Sequence, residues 1–176
     1  MSEQPGPATG YPSLVSWLID RPDVASRLRR APPDRVLVLA CREGADALAL
    51  ATAFPNITVY GVDSDQAAVR RATESASASP ARDRLLFVHR SDPEATLGSP
   101  FDLVVAVGLM TDRSRPDRPG VNVALWRVSR LVADGGLAVL DSPVTLRVDT
   151  VSEAGFRSVE LLGPSQFDDQ TYLLRR

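Results

Sequence analysis

The chain has 176 residues, 44% hydrophobic and 24% charged, which suffices for one domain with a real core and falls short of two. A formal charge of -2 and arginines scattered along the chain exclude nucleic acid or an anionic membrane as main partner, and the single cysteine, Cys41, excludes an internal disulfide or a cysteine-rich zinc site. No apolar run reaches the ~20 residues of a membrane span and the N-terminus lacks a signal-peptide core, so the chain reads as a cytoplasmic protein.

Residues 1–10, MSEQPGPATG, are small, polar and broken by two prolines, which predicts a disordered arm. From 11 to 30, Leu14, Trp17, Leu18, Val24 and Leu28 recur at roughly helical spacing with a break at Pro22. Two short helices are expected, the second starting near Asp20 or Asp23, and the run APP at 31–33 stops them. The apolar run 36–39 reads as a first strand covered on both faces. An Ala- and Leu-rich helix at 45–54 follows, halted by Pro55 and Asn56, and a second strand at 57–62 ends on Asp63. Ser64 is the expected N-cap of a helix at 65–75 that turns Ala68, Val69 and Ala72 to the sheet. The small-residue loop SASASP leads to a third strand at 85–88, an irregular link at 93–99 and a fourth apolar strand at 103–107.

The loop 110–120, MTDRSRPDRPG, comes next, then a helix at 122–132 with Leu125, Val128 and Val132 on one face and Trp126 beside them. Asp134, Gly135 and Gly136 read as a turn before a fifth strand at 137–140. After Pro143 a helical stretch runs to Ala154, and Gly155 stands where a left-handed C-terminal cap belongs. The last two strands, 158–162 and 171–174, are separated by about eight residues, whereas a parallel crossover takes a dozen or more. These two must therefore pair antiparallel, while the earlier strands, linked by helices, run parallel. The expectation is an α/β protein: a single domain over 11–176, doubly wound, with a mostly parallel seven-stranded sheet and an antiparallel last strand.

The segment 36–63, VLVLACREGADALALATAFPNITVYGVD, is strand, turn, helix, strand, acid: one βαβ unit of the kind that holds a nucleotide. It resembles motifs I and II of the class I, Rossmann-like S-adenosylmethionine-dependent methyltransferases. Three further stretches are similar to that family in the same order. FDLVVAVGLM (101–110) resembles the strand-4 motif. ALWRVSRLVADGGLAVLD (124–141) resembles the helix, Pro-Gly-Gly turn and strand 5, with Asp134 replacing the Pro. EAGFRSVELLG (153–163) resembles the Ala-Gly-Phe segment before strand 6. The resemblance spans 36–176 and implies the Rossmann-like methyltransferase fold, S-adenosylmethionine as cofactor, and methyl transfer to a small-molecule acceptor.

Motif I in the family reads hydrophobic, acid, hydrophobic, Gly, small, Gly, any, Gly. Here the acid falls on Val38, the first two glycines on Ala40 and Arg42, and the third on Gly44, so the motif is degenerate. Val38 cannot orient the cofactor's amino group as the family's acid does. Ala40 adds one methyl. Arg42 puts a long cation where the family has no side chain; it either clashes, swings outward or pairs with the cofactor's carboxylate. Cys41 matches a position the family fills with a small neutral residue. Asp63, with Ser64 beside it, matches the acid that accepts hydrogen bonds from the ribose hydroxyls, its other reading being a cap for the next helix. The family's adenine-binding acid falls on Ser91 or Asp92. The resemblance thus implies a cofactor across Ala40, Cys41, Arg42, Gly44, Asp63, Ser64 and Ser91 or Asp92.

His89, the one histidine, ends the third strand on the adenine side of the family's layout. No catalytic base is identified, and no metal-ligand cluster, Cys/His pair or GK[ST] loop stands in the sequence. Arg113, Arg115 and Arg118 follow strand 4, where open α/β sheets place substrates; they either recognise an acidic or phenolic acceptor or pair with Asp112 and Asp117 in solvent. The family covers its substrate with an extra domain or long insertions that are absent here, and residues 11–30 alone are available as a lid; either the substrate is large, or a second copy in a homodimer completes the site, or no substrate exists. The alternative is a non-catalytic methyltransferase-like subunit that has lost the cofactor and serves a protein partner, which explains Val38, Ala40 and Arg42 directly.

Overall fold

A computed structural model describes residues 14–30, 34–89, 93–98, 100–110, 119–164 and 169–176. The expected N-terminal arm, Ser91, Asp92, Arg113, Arg115 and Arg118 lie outside the described residues. The strands are β1 (Asp34–Leu39), β2 (Ile57–Asp63), β3 (Leu85–His89), β4 (Phe101–Ala106), β5 (Val132–Ser142), β6 (Ser158–Pro164) and β7 (Gln170–Arg175). They form one sheet in the order β3-β2-β1-β4-β5-β7-β6. Neighbours from β3 to β5 pair in parallel, and β7 runs antiparallel to both β5 and β6. The doubly wound, mostly parallel arrangement read from the sequence is the one observed.

Seven helices accompany the sheet among the described residues: α1 (Leu14–Ile19), α2 (Pro22–Arg29), α3 (Ala45–Ala53), α4 (Gln66–Ser77), α5 (Pro93–Leu97), α6 (Val121–Leu131) and α7 (Val148–Glu153). Successive strand residues point to opposite faces, so the continuous apolar strands feed two cores. Val36, Val38 and Val105 pack with Leu18, Leu28, Leu50 and Phe54 of the α1–α3 side. Leu37, Leu39 and Val104 pack with Leu125, Val128 and Val151 of α6 and α7. Pro22 sits in the first turn of α2, where its missing N–H leaves no bond unmade, and Asp23 and Arg27 suit the poles of that helix.

Four local expectations change. The cap of α4 is Asp65, not Ser64: the Asp65 side chain accepts from the Ala67 N–H at 2.8 Å. The link at 93–99 contains the short helix α5. Val132 ends α6 in extended conformation and already belongs to β5, opposite Phe101. The ladder then jumps, with Leu103 opposite Leu137, so the expected turn at Asp134, Gly135 and Gly136 is a bulge within the strand, with Gly135 at φ 73°. Gly155 takes the expected left-handed position after α7, at φ 96°.

Candidate cofactor site

Strand order reverses between β1 and β4, and such a switch opens a crevice at the C-terminal strand ends. On the β1 side the chain turns through residues 40–44 before α3 begins. Ala40, Arg42 and Gly44 all lie in the left-handed region, at φ 53°, 49° and 81°. For a residue with a side chain that conformation costs roughly 1–2 kcal/mol. It is held by main-chain bonds, from Cys41 N–H to Val62 O at 3.1 Å and from Gly44 N–H to Cys41 O at 2.8 Å. Ala40 and Arg42, two of the three positions where the resemblance expects glycine, therefore keep a glycine backbone while carrying side chains. Gly44 is required in its own right, because a Cβ there would stand 2.8 Å from the Phe87 ring. Cys41 is buried, its sulfur close against Gly61 on β2.

Asp63 ends β2 and is only 2% exposed. Its Oδ2 accepts from the Arg42 N–H at 2.9 Å and its Oδ1 from the Asp65 N–H at 3.0 Å. One carboxylate thus joins the loop after β1 to the turn after β2. His89 pairs with Asp63 across β2 and β3, and its Nε2 bonds the Ser64 carbonyl at 2.8 Å, which ties the end of β3 to the same turn. The other bank of the crevice repeats the device. Asp141, fully buried near the end of β5, accepts the Gly108 N–H on both oxygens at 2.9 Å, and Gly108 itself stands at φ 82° just past β4. Each bank is pinned by a carboxylate from the next strand outward. Asp141 was not a candidate from the sequence; its signal is the acid closing an apolar strand, LAVLD, as Asp63 closes VYGVD.

Arg42 is half-buried, and Asp46 in the first turn of α3 feels it. Burial raises the Asp46 carboxyl above the usual carboxylate range, and the Arg42 charge offsets part of that rise. Glu43 turns away and pairs with Arg71 at 2.8 Å. Gly44 caps α3 with no side-chain hydrogen bond, so the first-turn N–H groups are open at the crevice. The structure therefore gathers Ala40, Cys41, Arg42, Gly44, Asp63 and Ser64 around one turn. A left-handed loop, an open helix N-terminus and a strand-ending acid fit a nucleoside cofactor with an acidic tail. Among the described residues no group of three or more His, Cys, Asp or Glu side chains is placed to hold a metal, and no helix is long and apolar enough to cross a membrane.

Residues 37–138, more than half of the chain, match the family described as methyltransferase domain. The chain belongs to this family, the class I, Rossmann-like S-adenosylmethionine-dependent methyltransferases. Solved structures show the same fold. Magnesium protoporphyrin IX methyltransferase from Synechocystis, with S-adenosylmethionine bound, is 17% identical with TM-score 0.67, over 93% of this chain and 76% of that one. The S-adenosylmethionine-dependent methyltransferase SibL is 19% identical with TM-score 0.65, over 93% of this chain and 54% of its own. The N-methyltransferase NodS from Bradyrhizobium japonicum is 17% identical with TM-score 0.59, over 91% and 96%. The chain spans about half the length of SibL and of a similar structure from Nostoc punctiforme. No curated protein matches it.

Proposed function

We propose that this protein is an S-adenosylmethionine-dependent methyltransferase acting on a small-molecule acceptor. The cofactor is held across Ala40, Cys41, Arg42, Gly44, Asp63 and Ser64, with Ser91 or Asp92 at the adenine. The observation that carries this reading is the loop: Ala40 and Arg42 stay left-handed although each carries a side chain that disfavours it. Backbone strain of this kind persists where the shape itself is used. Bound S-adenosylmethionine supplies a methyl group on a sulfonium, open to attack by an acceptor nucleophile. Asp63, ending β2, accepts from the ribose hydroxyls, and the open N–H groups of α3 face the carboxylate of the methionine part. Transfer of this kind often rests on alignment with little acid–base help, so it is compatible with a site in which no base is identified. The small-molecule acceptor is supported by fold relatives such as the magnesium protoporphyrin IX enzyme. Calorimetric titration with S-adenosylhomocysteine tests the reading: micromolar binding is expected, and no binding at millimolar ligand overturns it.

Asp63 favours a second reading. At 2% exposure, with both oxygens engaged by the main chain, it serves the loop before it serves any ligand. On that reading the chain is a non-catalytic methyltransferase-like subunit that works through a protein partner, and the same titration is silent.

A further inference from the structure

The opposite end of the sheet holds a cavity of about 500 Å3. Five arginines and one aspartate line it: Arg27, Arg30, Arg157, Arg175, Arg176 and Asp23. It stands at the start of β1, beside Asp34, and so lies roughly one strand length, ~17 Å, from the crevice at Leu39 and Asp63. The arginines come from three places. Asp23 in the first turn of α2 and Arg27 in its last turn lie at i and i+4 on one face, and Arg30 follows as the extended residue that ends the helix. Arg157 follows the left-handed Gly155 and Phe156, its N–H bonded to the Arg175 carbonyl at 2.7 Å. Arg175 and Arg176 close β7.

Three of these cations are already engaged. Arg27 reaches Asp34 at 3.6 Å, Asp102 at 3.3 Å and the Gly135 carbonyl. Arg175 pairs with Asp23 at 2.9 Å. Arg176 bonds the Ser129 and Val132 carbonyls and approaches Asp134 at 3.6 Å. They form the frame of the cavity. Arg30 and Arg157, both exposed at the cavity, make no ion pair or side-chain hydrogen bond among the described residues. Within a frame whose arginines are balanced by Asp23, Asp34, Asp102 and Asp134, these two exposed guanidiniums match an anion with several oxygens, because the planar fork pairs phosphate through two parallel hydrogen bonds. The volume falls in the ~300–1,000 Å3 range of small-molecule sites and exceeds what a bare phosphate fills. Val24 and Leu137 add an apolar floor for an organic body.

We propose that this cavity binds a small phosphorylated organic molecule, held by Arg30 and Arg157 at a site separate from the cofactor crevice. Inorganic pyrophosphate is the probe, titrated calorimetrically into the full chain at low salt. Saturable binding that weakens as sodium chloride rises is expected. Arg30→Ala with Arg157→Ala should weaken it at least about tenfold, since charge-assisted bonds are lost. Arg30→Lys with Arg157→Lys keeps the charge and loses the fork, and should fall between. Arg42→Ala, at the other end of the sheet, should bind pyrophosphate as the wild type does. Thermal melts of each variant establish that it is folded; neither replaced arginine supports a described ion pair. Absence of saturable binding overturns the proposal, as does wild-type affinity in the double alanine variant or loss of binding in Arg42→Ala.

Discussion

The two ends of the sheet are built by different means. At the C-terminal end the crevice is lined by main chain, left-handed residues and open N–H groups, with two buried carboxylates holding the loops in place. At the N-terminal end they are side chains, arginines delivered from α2, the segment before β6 and the end of β7. A site made of backbone can change its signature residues and keep its shape, as Ala40 and Arg42 do. A site made of side chains has no such reserve: replace two residues and the site is gone.

Mutations can break or sharpen this contrast. The largest effect is expected from Asp63→Ala, which strands the Arg42 and Asp65 N–H groups. An unsatisfied buried donor costs about 1–3 kcal/mol, so roughly 3 kcal/mol should be lost in urea unfolding, together with S-adenosylhomocysteine binding. Asp63→Asn keeps one acceptor and should lie between; unchanged stability in the alanine variant would remove the pinning role. Next comes Gly44→Ala, which combines a left-handed φ with a Cβ driven into Phe87, for a loss of about 2–3 kcal/mol by the same measurement.

Arg42→Gly should act in the other direction, releasing left-handed strain for a gain of about 1 kcal/mol in the melting transition. It also separates two roles for the side chain. Stronger S-adenosylhomocysteine binding means that Arg42 obstructs the crevice, and weaker binding means that it pairs with the ligand's carboxylate. Because the Arg42 charge holds Asp46 down against burial, the Asp46 pKa should rise further in this variant, as carbon-detected NMR titration would read.

The smallest effect concerns Asp34 beneath the arginine cavity. Burial first, then the Asp102 charge, raise its pKa above 3.8, against Arg27 and Arg30. The folded protein therefore holds that proton more tightly than the unfolded chain does. The contribution to stability is full below the unfolded pKa and is lost as pH rises through the folded one. Asp34→Asn should flatten this part of the acid limb in thermal melts, and an unchanged limb would assign it to other carboxylates.

Much of the fold was legible because it follows local rules. Continuous apolar runs gave the central strands, and the short gap between the last two forced them antiparallel. The misses have local physical causes as well. Ser64 loses the cap to Asp65 because its carbonyl is committed to His89, a partner from another strand. Val132 leaves the helical face because β4 recruits it through Phe101. The candidate turn was legible residue by residue, since glycine positions and a strand-ending acid are sequence patterns. Its left-handed alanine and arginine were not, because φ is imposed there by bonds to β2. Nor was the burial of Asp63, whose partner Arg42 is 21 residues away. The arginines looked scattered along the chain for the same reason: only folding brings 27, 30, 157, 175 and 176 together.

The position of β7 has a consequence for the order of assembly. Among the described residues β6 pairs with β7 alone, and β5 keeps a bare edge until β7 fills it. A ribosome releases β6 before the strand that must hold it, so the nascent chain carries an unfinished sheet until residues 170–175 emerge. Arg175 travels on that strand with Arg176 just after it, so the arginine cavity forms only once β7 is seated. An anion that occupied it would favour the chain with its closing strand seated.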